Sequence, residues 1–271
     1  MNSNTGSNYS YSSITMEDWR SAWLDHVDGK PTDIDLPPFP SEEVQKITNS
    51  NAGRKTVELA WEMYRIFTEE VSRFNLDAQS TPLTVLDLGA GWGRITRLMM
   101  RDVAPGNLTA VDVDKLLVDS GAECLPGVIW KHIKAGESLP FADDQFSLVL
   151  ANSVLSHLDE KLHRGMISEV SRVLKPGGIF LGTTLSERHY LSYLKYDNMK
   201  VWLKGIIGNL DSQLDKLKSG EFVYGHSKRL EGYGMTFLPD GWPAENWAPE
   251  LILQSTRTDY YQDVQVAQAF E

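Results

Sequence analysis

The run Val85-Leu86-Asp87-Leu88-Gly89-Ala90-Gly91-Trp92-Gly93-Arg94 narrows the folds open to this chain more than any other segment. Its apolar start reads as a short strand, glycines follow at alternating positions, and a helix is expected through Met99. Glycine at such a junction lets the backbone turn tightly and lets a ligand approach the main chain closely. A nicotinamide dinucleotide fingerprint would place a third glycine at position 94, which is Arg94. The spacing is instead Gly-x-Gly-x-Gly, and the dinucleotide reading fails.

Downstream the rhythm is strand, helix, strand. Leu83–Leu88, Leu108–Val113, Val128–Ile133, Phe146–Ala151 and Ile179–Thr184 read as five strands. Before the fifth, an amphipathic helix carrying Leu162, Met166, Ile167, Val170 and Val173 is stopped by Lys175-Pro176-Gly177-Gly178. This alternation predicts a parallel, doubly wound sheet. Glu250–Thr256 and Asp263–Ala269 also look like strands, but they lie too close for a parallel crossover of about a dozen residues, so they must form an antiparallel hairpin. Residues 186–249 exceed what a crossover needs. With expected helices at Glu187–Lys195 and Met199–Leu217 and an aromatic, glycine-rich stretch from Phe222 to Phe237, they read as a cap over the carboxyl edge of the sheet. The expected fold is α/β: a mostly parallel seven-stranded sheet ending in an antiparallel hairpin, with a helical cap inserted after strand five.

Ahead of the sheet, residues 1–40 read as an arm and linker, with one helix over Met16–Val27 bearing Trp19 and Trp23 on one face. The stiff Pro37-Pro38-Phe39-Pro40 segment ends the arm, and residues 41–271 form the main domain. From Lys55 to Phe74, apolar residues recur every three or four positions, the signature of a long helix packed on the sheet.

Composition excludes several classes. The lone Cys124 rules out an internal disulfide framework and a multi-cysteine zinc site. No apolar run is long enough to cross a bilayer, and Met1–Thr15 is polar, so a cytoplasmic location without a membrane partner is expected. A formal net charge of −11 repels phosphate backbones. Lys216 and Lys218 are interleaved with acidic residues, and Lys228-Arg229 is a short pair. A small molecule or a neutral glycan is therefore a better partner than nucleic acid. Asp112 closes the second strand, nineteen residues after Gly93, where a carboxylate can accept both hydroxyls of a ribose or simply shape a turn.

With these motifs in order, residues 83–185 resemble the class I S-adenosylmethionine-dependent methyltransferases, especially the small-molecule group whose loop reads Asp-x-Gly-x-Gly-x-Gly. Gly136-Glu137-Ser138-Leu139-Pro140-Phe141 matches the family's segment after strand three, and Arg172–Gly178 its turn before strand five. The terminal hairpin agrees with the family's reversed seventh strand. The Phe39–Pro40, Trp92–Arg94 and Ser156–Leu158 wording is similar to bacterial members found among surface-glycan enzymes. The resemblance implies S-adenosyl-L-methionine as cofactor. Asp87, Gly89, Ala90 and Gly91 would line its methionine and ribose side, Asp112 would hold the ribose, and Val113 would face the adenine. Gly136 and Glu137 would lie at the adenine edge, and Asn152 would present backbone to the amino group. Ala135 and Ser147 stand where the family often has aspartate.

The acceptor is less defined. After strand four the chain reads Asn152-Ser153-Val154-Leu155, without the Pro-Pro-aromatic element of base-amino methylation, and no carboxylate set for a catalytic metal can be placed. His157 is the candidate general base, with helix capping or packing as its bland role. Tyr224, His226 and Tyr233 are candidates for the acceptor pocket. O-methylation of a small metabolite or glycan, small-molecule N-methylation, and a non-catalytic cofactor-binding domain all stay open.

Overall fold

The computed structural model describes residues 11–76, 82–226 and 233–270. It divides into two compact units, residues 1–132 and 133–271.

The first unit opens with α1 (Met16–Val27), α2 (Glu42–Asn49) and α3 (Arg54–Arg73). Thr15 starts α1 by accepting the Asp18 N–H at 3.1 Å, and Ser41 does the same for α2 through Val44. The α3 stripe Val57, Ala60, Tyr64, Phe67 and Val71 is buried, as its periodicity requires. The segment read as an arm is packed: Trp19 and Trp23 have no solvent exposure, and the Trp19 indole donates to the Leu98 carbonyl at 3.0 Å. Trp23, Phe39 and Trp92 surround the buried Arg97 guanidinium at 4.4 to 5.2 Å. Then follow β1 (Val85–Leu88), α4 (Thr96–Met99), β2 (Leu108–Asp112), α5 (Lys115–Cys124) and β3 (Ile129–His132). β1 pairs in parallel with β2, and β2 with β3. α4 is a single turn because Trp92–Ile95 are spent in the loop that precedes it.

The second unit holds β4 (Phe146–Ala151), α6 (Glu160–Val173), β5 (Leu174–Thr184), α7 (Glu187–Tyr193), α8 (Asp197–Ile207), α9 (Leu210–Lys218), β6 (Val223–His226), β7 (Gly234–Phe237), α10 (Trp242–Asn246), β8 (Leu251–Arg257) and β9 (Asp263–Ala269). β4 and β5 are parallel, while β9 runs antiparallel to both β5 and β8. The seven-stranded sheet has the order β3-β2-β1-β4-β5-β9-β8, with β6 and β7 forming a separate pair. β1 and β4 are buried along their whole length, while edge strand β8 alternates.

Three expectations need correcting. Lys175–Gly178 lies inside β5: Phe146 pairs with Leu174 and Leu148 with Ile179, so the turn residues bulge out of the ladder and the strand begins directly after α6. The single helix expected at Met199–Leu217 is two, because Gly208 ends α8 at φ +81° and the Asn209 side chain caps α9 by accepting the Ser212 N–H. The cap is not wholly helical either, since the Phe222–Phe237 stretch supplies β6 and β7. Leu185, Tyr190, Leu203, Ile207, Leu217, Val223, Met235 and Phe237 form its own small core.

Candidate active site

In the first unit the glycine loop is fixed by main-chain geometry. Gly89, Gly91 and Gly93 have φ of +72°, +59° and +85°, where any other residue would be strained. A Cβ on Gly91 would also lie 2.6 Å from the Thr48 methyl of α2, so two independent constraints select glycine there. The Gly89 and Ala90 N–H groups donate to the Val111 carbonyl at 2.9 and 3.0 Å, tying the loop to the end of β2. Asp112 extends that tie: its carboxylate accepts the Gly91 N–H at 2.8 Å and the Asp114 N–H at 2.9 Å. Each oxygen keeps a lone pair for a ribose hydroxyl.

Asp87 is buried at the end of β1 and accepts the Thr96 hydroxyl at 2.6 Å. Burial pushes its carboxyl up to about 6, with the Arg94 charge opposing and the Asp112 charge adding to the rise. Burial raises Asp112 as well. Two desolvated carboxylates beside one loop repel a pyrophosphate and favour a cationic ligand. S-adenosylmethionine, a sulfonium with an ammonium group, fits that donor set. Val113 follows with 41% of its surface exposed, an apolar side chain open to a flat ring.

The remaining expected cofactor residues belong to the second unit. Gly136 adopts φ +79°, and Glu137 is exposed and paired with Lys134 at 3.3 Å. Asn152, at the carboxyl end of β4, is buried; its Oδ1 accepts the Tyr260 hydroxyl at 3.0 Å while its Nδ2 has no partner among the described residues.

His157 ends a short turn of 3₁₀ helix, Leu155–His157, and is half-buried. It does not cap α6, because the Asp159 side chain takes that role by accepting the Leu162 N–H at 2.8 Å. Its Nδ1 lies 2.8 Å from the Gly234 carbonyl. A carbonyl only accepts, so Nδ1 carries the proton and Nε2 presents a lone pair. Burial lowers the imidazole's pKa below its ordinary value, which favours the neutral base. Nε2 faces the Ser153 hydroxyl at 3.4 Å, and Tyr233 stacks on the imidazole with ring centroids 4.5 Å apart. The structure thus brings Tyr233 to His157, while Tyr224 and His226 face one another on β6 at 3.4 Å.

Sequence reasoning missed Ser153, Gln262 and Gly234 as parts of this group. Gln262 donates from Nε2 to Ser153 Oγ at 3.2 Å, and Ser153 N–H donates to Thr183 Oγ1 at 2.6 Å. A Cβ on Gly234 would fall 2.0 Å from the Gly225 carbonyl, so only glycine lets β7 approach β6 and aim this carbonyl. That glycine was a readable signal; Gln262 had none. Among the described residues, no group of three or more His, Cys, Asp or Glu side chains is arranged to hold a metal, and no helix is long and apolar enough to cross a membrane.

Residues 85–178 match the methyltransferase domain family. Over 155 residues the chain is 28% identical to the malonyl-[acyl-carrier protein] O-methyltransferase of Chlorobium luteolum, covering 54% of each chain. Over 106 residues it is 38% identical to the dimethylglycine N-methyltransferase of Parasynechococcus marenigrum, covering 36% of each. The chain thus spans about half, or less, of the length of these curated relatives. A crystal structure of an S-adenosylmethionine-dependent methyltransferase from Clostridium acetobutylicum shares the fold, with a TM-score of 0.55 at 13% identity, over 84% of this chain and 97% of that one. Residues 85–178 thus read as a methyltransferase domain, set in a fold that the Clostridium structure shares.

Proposed function

We propose that this chain transfers a methyl group to a hydroxyl oxygen of a small metabolite or glycan, in a reaction in which His157 takes the acceptor's proton. When bound, S-adenosylmethionine supplies an electrophilic methyl on a sulfonium. Asp87, Gly89, Ala90 and Gly91 would hold its methionine and ribose side, Asp112 the ribose and Val113 the adenine. Gly136, Glu137 and the Asn152 backbone are proposed for its remaining contacts. Much of the catalysis then falls to positioning and to exclusion of water.

The observation that carries the oxygen-acceptor reading is the Gly234 carbonyl on His157 Nδ1, which leaves Nε2 as a neutral base. An alcohol needs such a base as its bond to carbon forms. An amine arriving neutral does not, and the dimethylglycine N-methyltransferase relative keeps that second reading in play. Tyr233, against the imidazole, is proposed as a wall of the acceptor pocket; Tyr224 and His226 are proposed further out. Nucleic acid as acceptor is disfavoured by the net charge of −11, and a cytoplasmic site of action is proposed with it.

The test incubates the protein with S-[methyl-¹³C]adenosylmethionine and the low-molecular-mass fraction of a bacterial extract. New ¹³C signals should appear in the methyl-ether region, and label found only in methyl esters would show a carboxylate acceptor that needs no base. Label found only on nitrogen would replace this reading with the amine one, and label found only in nucleic acid or protein would overturn it.

A further inference from the structure

Ser153 lies between the proposed base and a buried amide, in a backbone conformation that an ordinary serine avoids. It follows β4 with φ +61°, a left-handed setting that strains a non-glycine residue and that recurs at functional sites. The turn is held by the Ser153 N–H on Thr183 Oγ1 at 2.6 Å. Two groups then meet the Ser153 hydroxyl: Gln262 Nε2 at 3.2 Å and His157 Nε2 at 3.4 Å.

Proton positions follow from the partners. Gln262 Nε2 can only donate, so it occupies one lone pair of Ser153 Oγ. His157 Nε2 can only accept, because Nδ1 carries the ring proton toward Gly234. The Ser153 proton therefore points at His157, and the second Oγ lone pair is left for an incoming donor. Gln262 is buried, and its Oε1 has no partner among the described residues. A separation of 3.4 Å is long for a hydrogen bond, and bonds of this kind tighten once substrate is seated.

From this chain we infer that Ser153 relays the acceptor's proton to His157, with Gln262 as the positioning residue that aims the serine. The inference rests on the oxygen-acceptor reading. As the acceptor oxygen bonds to the methyl carbon, the carbon–sulfur bond breaks and its electron pair returns to sulfur. The acceptor's proton passes to Ser153 Oγ while the Ser153 proton passes to His157 Nε2. The products are the methylated acceptor, a neutral thioether and a protonated imidazole, so charge and atoms balance.

The first measurement needs no acceptor. Side-chain ¹⁵N spectra of the full chain with S-adenosylhomocysteine, His157 being assigned from the His157→Asn difference, should show Nδ1 protonated and Nε2 bare but hydrogen-bonded. Ser153→Gly suits the positive φ and removes only the hydroxyl; it should shift Nε2 toward the value of an unbonded nitrogen. Gln262→Glu, which removes the donor and offers the serine a competing acceptor, should produce the same shift. An Nε2 resonance unchanged in Ser153→Gly, or a proton on Nε2 in the parent, would overturn the relay. The second measurement follows the labelled methyl in mixtures of light and heavy water. A relay moves two protons together, so the parent's rate should bow with deuterium fraction while that of Ser153→Gly is linear. A linear parent would overturn the relay even if methyl transfer itself is confirmed. Failure to find methyl transfer would instead strike the function and leave the spectra to judge the hydrogen-bond chain.

Discussion

The glycine loop closes on itself across a short stretch of chain: Gly91 meets Asp112, a separation of 21 residues. The His157 group is gathered from afar, with Gly234 lying 77 residues from His157 and Gln262 lying 109 from Ser153. One is held mainly by backbone amides and carbonyls, the other by the Gln262 side chain just ahead of the reversed β9 strand and by the Gly234 carbonyl of the β6–β7 pair. Main-chain construction makes the loop tolerant of changes elsewhere. Long-range construction ties the His157 group to the docking of distant segments, so changes far along the chain reach it.

The contrast can be broken most sharply at His157. His157→Asn should lower turnover by about two to four orders of magnitude, the usual worth of a general base, and leave cofactor affinity nearly unchanged. Steady-state kinetics beside calorimetric titration of S-adenosylhomocysteine separates the two effects. Equal loss of cofactor binding would mean that the two regions are not separable.

Asp112→Ala should do the converse. Removing the ribose's charged acceptor, and leaving the Gly91 and Asp114 amides without theirs, should cost about 1–3 kcal/mol of cofactor affinity. The same calorimetry reads it; an unchanged affinity would show that the ribose is held elsewhere.

The remaining effect is on stability, and it has an inverted sign. Burial raises the Asp87 carboxyl from its ordinary 3.8 to about 6 in the folded chain, so its buried charge is a cost above pH 6. As pH falls from 6 toward 3.8 the folded state takes up a proton that the unfolded state does not, and the cost is relieved. Asp87→Asn should therefore stabilise the protein at neutral pH by about 1–3 kcal/mol. Denaturant unfolding at pH 7.5 and pH 4.5 checks it: the gain should shrink at the lower pH, and destabilisation at pH 7.5 would show that the charge is needed for folding.

What could be read from the sequence follows the same division. The glycine spacing, Asp112 and the run of buried strands are local patterns, and the terminal hairpin followed from loop length alone. The Gly208–Asn209 break between α8 and α9 was legible as a stop followed by a cap, but the apolar periodicity running through it outweighed that signal. Gln262 and Ser153 could not be paired from sequence, because their meeting depends on the antiparallel docking of β9 on β5. Gly234 looked like one cap glycine among several, and only the β6–β7 ladder shows that its carbonyl meets a histidine.

The central claim is that a neutral imidazole, held with its base nitrogen free, takes the acceptor's proton. The most direct test is the pH dependence of methyl transfer at saturating cofactor. Burial lowers the His157 pKa, so the imidazole stays a base through its ordinary value of 6.5. The rate should be flat from pH 8 down past 6.5 and fall only below it, with that acid limb lost in the residual activity of His157→Asn. A rate that keeps climbing through pH 8 and 9, with no acid limb in the parent, would show that the acceptor ionises without His157 and would contradict the account.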